Sequence, residues 1–598
     1  MKPRQLTWKW LLVGLGVVVV AGLALLLSRQ LGTSSDLRDR VAAALSAWTG
    51  GTVTLTEPME VTYFPPALRG GFVLTNASRL PAISAITAPN FKVMLDFPEL
   101  LMGRIKVDAL RLGRPAITLK DTASQDETAQ SAETLLIAAL TNPPVGALRI
   151  RNGTIKTASG ERLVNRLDVR IDARGRRGAL DALGSFTFNG ETVAFSIDSG
   201  KIAETEGGSA APVTLKVTSE PVTFRFSGTV RAAEDLEGEG EMETDVPDGR
   251  RFLNWVGFAL PAGESLKDLA ASGTIYWDAS TLTFDDGTFS FDGNAAVGLL
   301  ALTAAAQPRV DGTLAFETLV LDPYLGRGGG DDGPQGKPFD WVLLKYIDAD
   351  LRISAAEVMA AGLKLGRGGF TLTAKNGTIA SEIGELDLCG GEAAGRMGLD
   401  LSNDRTEATL VGTLSDITVA TCLEPFALGV PLTGVGSLKL DVSTGGGTQA
   451  ELVRGLVGDL QISAKSGTVP IDFPALAGGA TPPEEGWSRQ ESTPFDKLDA
   501  DCSLSAGHIW CQSFRMQTPK DIISGSGGVD VAKQTLDWDL SIANPVAPLS
   551  ASQLVMETPP RVTVRGSLIE PQIEGTNPPT LGDGSPKTNS DSRSATPN

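Results

Sequence analysis

The sequence predicts a mainly β fold, a long antiparallel sheet with a few short helices, preceded by one N-terminal transmembrane helix. Three observations predict it. Segments of alternating apolar and polar residues, punctuated by Gly and Thr/Ser, dominate after residue 50, while long helical periodicities are scarce. The outline of LRIRNGTIKT at 148–157 returns in LTFDDGTFSF, LTAKNGTIAS, ISAKSGTVPI and LSAGHIWC. Trp10 to Leu27 is an uncharged run of 18 residues. At about 1.5 Å per residue that run reaches roughly 27 Å, enough to cross a hydrocarbon core.

The elements follow in order. Residues 1–9 precede the apolar run and 10–28 form the anchor; a cleaved signal peptide would have an apolar region of about 7 to 15 residues, and SRQLGTSSDL offers no A-x-A-like site. Lys2, Arg4 and Lys9 flank the run on one side and Arg29, Arg38 and Arg40 on the other, so charge alone leaves its orientation balanced. A helix is predicted from about Asp36 to Thr49: Ser35 caps it, Leu37, Val41, Leu45 and Trp48 recur at helical spacing, and Gly50-Gly51 stops it. With it, residues 29–120 make a first β region. A middle β-rich region, 121–325, opens with the polar insertion TASQDETAQSAE and a helical stretch, ETLLIAAL. GRGGGDDGPQGK makes 326–340 a flexible linker. A third β region, 341–575, is interrupted near AGGATPPEEGW, and 576–598 has too little apolar surface to fold.

Each copy of the repeated outline reads as a hairpin with a two-residue turn, because Asn-Gly and Asp-Gly favour the positive φ required at both central positions. Counting outward pairs Ile150 with Ile155, Phe284 with Phe289, Ala374 with Ile379, Ala464 with Val469 and Leu504 with Ile509. Two positions further out come Leu148/Thr157, Leu282/Phe291, Leu372/Ser381, Ile462/Ile471 and Cys502/Cys511, on the same face because side chains alternate. Each hairpin is therefore apolar on one face. A long apolar surface with few helices to cover it can curl on itself, pack as a sandwich, or hold acyl chains.

Cys502 and Cys511 fall opposite one another at a non-hydrogen-bonded position, where Cα atoms approach to about 4.5 Å, within the range of a disulfide. Two small buried apolar residues in a reducing compartment would satisfy the same pattern. Cys389 and Cys422 are a second candidate bridge. Bridges would imply an oxidising space such as the bacterial periplasm.

A net charge of −19 with no basic stripe in the sequence argues against a nucleic-acid partner. His508 is the only histidine, which leaves one base for any triad and excludes a multi-histidine metal site. It reads as a strand residue beside a turn. Asp285-Asp286 reads as turn chemistry rather than a carboxylate pair, and GRGGG (326–330) and GSGG (525–528) lack the context of a phosphate loop. LDWDL places Leu536, Trp538 and Leu540 on one face of a strand and Asp537 and Asp539 on the other. No catalytic site, metal or cofactor is expected.

The segments LRDRVAAALSAWTGGTVTL, VTYFPPALRGGFVLTNAS and LLMGRIKVDALRLGRPAITL resemble the opening of the AsmA family. LTGVGSLKLDVSTGG, LVGDLQISAKSGTV, TPFDKLDADCSLSAGHIWC, ISGSGGVDVAKQTLDWDLSI and PPRVTVRGSLIEPQIEG resemble, in order, the pieces of its C-terminal region. The resemblance covers about half the chain; the middle, about 121–340, departs from it. It implies a single-pass protein of the bacterial inner membrane with its body in the periplasm. The implied body is a long curled β-sheet with a hydrophobic groove, linked to outer-membrane biogenesis and phospholipid passage.

The expected partners are phospholipid acyl chains, the inner membrane through the N-terminal helix, and an outer-membrane or periplasmic protein. Candidate lipid-facing residues are Ile150, Ile155, Leu282, Phe284, Phe289, Phe291, Ile379, Val469, Leu504, Ile509 and Trp538. About 30 to 35 strands at about 4.8 Å each would extend at most about 170 Å, which suits a partial conduit, a shuttle or a partner-assisted bridge. Two other readings stand beside it: an assembly scaffold with its apolar face closed, and an enzyme with carboxylates along one strand row.

Overall fold

The computed structural model describes residues 34–576 apart from 81, 121–145, 174–178, 202, 206–207, 233–235, 259, 261–264, 279, 306, 326–344, 361–362, 403–404, 424–431, 448, 478–486, 488–491, 531–532 and 544–558. The predicted anchor at 10–28, the ETLLIAAL helix, the linker and the C-terminal tail lie outside these residues. Among the described residues, no helix is long and apolar enough to cross a membrane. The chain is mainly β and antiparallel, and it divides into two units: residues 1–317 with 346–351, and residues 318–345 with 352–598.

In the N-terminal unit a helix, Ser34–Thr49, begins one residue before the expected cap, so Ser35 lies within it. Leu37, Val41 and Leu45 are buried along one stripe, against Val53, Leu68, Phe72, Leu74, Phe91 and Val93 of the first strands. Gly50 ends the helix with φ 66°, its N–H donating to Ser46 O at 2.9 Å. From Thr52–Tyr63 to Arg309–Val320 the strands form a meander of antiparallel neighbours. One junction differs: strand Ala147–Lys156 runs parallel to both Val107–Gly113 and Ala116–Leu119. A helix, Gly249–Val256, is capped by Asp248 Oδ1 accepting from Arg251 N at 2.9 Å and ends at left-handed Gly257. Its Trp255 Nε1 donates to Phe188 O at 2.8 Å, and its Arg251 pairs with Glu191 at 2.7 Å and Glu220 at 2.8 Å.

In the C-terminal unit the meander runs from Gly368–Lys375 to Pro571–Thr576, each strand antiparallel to the one before. Its last strands are covered by a short helix, Phe473–Ala477, through Phe473 and Leu476 in a core with Phe495, Met516, Ile523, Leu540 and Val562.

Two of the five predicted hairpins form. Asn376-Gly377 and Ala506-Gly507 are two-residue turns with positive φ at both residues (51° and 79°; 52° and 80°), and the registers Ala374↔Ile379 and Leu504↔Ile509 follow. The other three are corrected. Asn152, Asp286 and Ser466 take positive φ (49°, 52°, 53°) inside the unbroken strands Ala147–Lys156, Thr281–Phe291 and Val457–Val469. Their flanking residues pair with neighbouring strands instead of with each other: Ile150 with Val169, Ile155 with Val164, Phe284 with Ile275 and Leu300, Phe289 with Ala271 and Ala296, Val469 with Thr493. A left-handed residue followed by Gly serves a bulge as readily as a turn. At Asn152 the kinked backbone N–H donates to Asp168 Oδ1 at 3.1 Å. The turn ending strand Thr281–Phe291 is Asp292-Gly293 (52° and 81°), and Asn189-Gly190 and Cys389-Gly390 make further turns of this kind.

Candidate functional site

The register aligns apolar residues across strands into rows. In the C-terminal unit one row reads Leu386, Ala393, Leu414, Leu438, Ile462, Ala500, Phe514, Gly525, Leu540, Val562. The next reads Ile383, Gly395, Gly412, Leu440, Leu460, Cys502, Cys511, Gly527, Trp538, Val564. A third reads Met397, Leu410, Val442, Gly458, Leu504, Ile509, Val529, Leu536. No charge interrupts any of them. The opposite face carries charged neighbours such as Asp441 opposite Asp459 and Asp537 paired with Arg565 at 2.8 Å.

The rows form because the segments alternate at period two, as in LKLDV and LQIS, so the apolar side chains of these segments point one way. Their glycines matter to packing at one point: a Cβ on Gly527 would lie 2.6 Å from Trp538 Cδ2, so the indole fills the space the missing side chain leaves. Trp538 also meets Phe514 edge to face at 5.3 Å. Cover differs along the rows. The last strands are closed by the helix Phe473–Ala477, whereas Leu410 is 36% and Ile462 37% exposed.

A comparable row crosses the N-terminal unit: Phe91, Leu112, Ile150, Val169, Gly184, Phe195, Val217, Phe224, Thr244, Ala271, Phe289, Ala296, Phe316. Phe289, 2% exposed, lies in it and Phe284, also 2% exposed, in the neighbouring row with Ile275 and Leu300; Phe291 stacks on Phe289 at 6.1 Å between centroids. Leu282 lies opposite Trp277 and Leu302, and Ile155 opposite Ile117 and Val164.

Among the eleven predicted lipid-facing residues, Phe284, Phe289 and Ile379 are therefore buried core, while Ile150, Ile155, Leu282, Phe291, Val469, Leu504, Ile509 and Trp538 are half-buried. Val469 and Trp538 pack against the capped core of the last strands. Reasoning from hairpins missed Leu410, Leu414, Leu438, Leu440 and Leu460. Their signal was plain alternation away from any Gly turn.

Cys502 is bonded to Cys511 and Cys389 to Cys422. His508 is exposed, with Nδ1 3.6 Å from Asp530 Oδ2. Hydrogen bonds from the Lys533 ammonium and backbone N–H hold the Asp530 carboxyl below the usual range. No cluster of His, Cys, Asp and Glu suited to a metal occurs among the described residues.

The register assembles a basic stripe that the sequence does not show: Arg69, Lys92, Arg111, Arg149 and Arg170 stand directly opposite one another across five strands of the N-terminal unit.

Residues 330–514 match the family model described as the AsmA family. This stretch is AsmA-like. The AsmA-like segment carries the apolar rows from the strand Thr378–Leu388 to Phe514 on the strand His508–Gln517, including the exposed Leu410 and Ile462. The match over this stretch suggests an envelope-biogenesis or lipid-related role. No significant match is found among curated proteins, nor among solved structures.

Proposed function

We propose that the chain is an inner-membrane-anchored periplasmic protein of envelope biogenesis that binds phospholipid acyl chains on its apolar rows and conducts them between membranes. The observation that carries this reading is the set of uncharged rows in the AsmA-like segment, unbroken from strand to strand and exposed at Leu410 and Ile462. Exposed apolar surface of this continuity costs solubility unless something covers it. An acyl chain, itself a run of methylenes, gains roughly 0.8 kcal/mol for each one removed from water. The role is binding and guidance rather than catalysis, with no cofactor, metal or nucleic acid involved. The membrane is reached through the apolar run Trp10 to Leu27, and an outer-membrane or periplasmic protein completes the path.

A closed assembly scaffold is the second reading, favoured by the full burial of Phe284, Phe289 and Ile379. Photo-crosslinking residues placed at Leu410 and Ile462 in cells, followed by mass spectrometry of the adducts, separates the two. Phospholipid adducts are expected; adducts to protein alone would sink the conduit and favour the scaffold.

A further inference from the structure

The Arg69 to Arg170 stripe is costly to build. Like charges directly opposite on adjacent strands destabilise a sheet, and at about 4.8 Å per strand the five cations fill a row of about 19 Å. Arg69 reaches Glu60 at 4.0 Å, both ends exposed; no ion pair joins Lys92, Arg111, Arg149 or Arg170 to a carboxylate among the described residues. Lys92 is the most enclosed of the five, and burial followed by the charges of Arg69 and Arg111 lowers its pKa. A shallow concavity of about 600 Å³ opens over Arg69, Lys92, Arg111 and Arg149, with Glu57 and Glu60 at one edge.

Further along this unit two arginines are matched: Arg225 pairs with Glu243 at 3.3 Å and Arg231 with Glu237 at 3.5 Å. A row of unmatched cations in a chain of net charge −19 is a site for anions.

We propose that the Arg69, Lys92, Arg111, Arg149, Arg170 ladder seats the N-terminal unit on the phosphates of anionic phospholipids at a bilayer surface. The row of cations ends at Arg170, where Leu183 and Ser196 follow it on the next two strands; beside it on the same face, two residues along, Asp172, Asp181 and Asp198 stand opposite one another. A long polyanion such as a nucleic acid lying along the row would leave the cations at Leu183 and Ser196 and pass beside those carboxylates. Headgroups are separate units, so a short row suits them. The proposal is independent of acyl-chain binding on the apolar rows, because it is read from a preference among vesicles and not from lipid extraction.

The test uses the full chain and vesicles of phosphatidylcholine with and without phosphatidylglycerol. Stronger binding to the anionic vesicles is expected, fading as salt shortens the Debye length. The Arg111→Gln/Arg149→Gln variant should lose that preference roughly 25-fold, at roughly fivefold per cation removed, while Arg225→Gln/Arg231→Gln should keep it. Relief of like-charge repulsion should leave the first variant's melting temperature unchanged or raised. Equal binding to both vesicle types at low salt would overturn the proposal, a result that needs no variant. So would an undiminished preference in Arg111→Gln/Arg149→Gln, or displacement from anionic vesicles by inorganic phosphate or a single-stranded oligonucleotide at matched ionic strength.

Discussion

Phe284 and Phe289, five residues apart on one strand, meet edge to face with ring centroids 5.3 Å apart. In a regular strand residues five apart point to opposite faces. Asp286, at φ 52°, adds the extra residue that returns Phe289 to the face of Phe284. Asp286→Gly should therefore leave stability nearly unchanged, whereas Asp286→Val should cost about 1 to 2 kcal/mol in chemical denaturation. Deleting Asp286 should cost more than either, since it turns one ring outward. Equal tolerance of all three would refute the bulge.

A charge at the two kinds of apolar position should act differently. Phe289→Asp puts an unpaired carboxylate in a buried site and should destabilise by about 3 to 5 kcal/mol. Ile462→Asp, at a position 37% exposed, should preserve the fold by circular dichroism and abolish bound phospholipid. Retained lipid in a folded Ile462→Asp protein would remove that stretch of the row from the path.

The Cys502–Cys511 bridge closes a loop of sequence separation 9. By loop-closure entropy it should contribute about 2 to 3 kcal/mol. Cys502→Ala/Cys511→Ala should lower the denaturation midpoint accordingly, and a reductant should lower the native protein's midpoint while leaving the variant's unchanged with respect to this bridge.

Asp181 faces Asp198 across two strands. The hydrogen bond that a protonated Asp181 donates to the Asp198 carboxylate, then burial, then the charges of Asp198 and Asp172 raise its pKa above the usual carboxylate value. With the folded pKa above the unfolded one, the pair's contribution is full below the unfolded pKa and is lost as pH rises through the folded value. Asp181→Asn should thus raise the melting temperature at neutral pH, with the gain shrinking on acidification. Asp530 has the opposite sign: its lowered pKa gives a contribution present above the unfolded value and lost as pH falls through the folded one. A variant less stable than the native protein at neutral pH would show that the two aspartates do not repel.

The β class was legible because period-two alternation survives any register, and the turns at Asn376-Gly377 and Ala506-Gly507 were legible because both flanks pair with each other. At Asn152-Gly153 and Asp286-Gly287 the local chemistry is the same. The difference lies in strands that supply partners on either side, such as Arg162–Asp172 and Asn294–Thr303. Two-residue turns at Asn189-Gly190 and Asp292-Gly293 carried the ordinary signal and were passed over. The basic ladder was invisible for a different reason. Its members are spread from residue 69 to residue 170, and one link, Arg111 to Arg149, is a parallel pairing that no turn announces.

The meander order within each unit has an evolutionary consequence. Since nearly every strand docks on the one made just before it, closing each step takes only a short loop. Duplicating or losing one hairpin would change the length by about 10 Å and leave the earlier wiring intact. Such an architecture is adjustable like a ruler, and its reach can be matched to a gap by counting repeats.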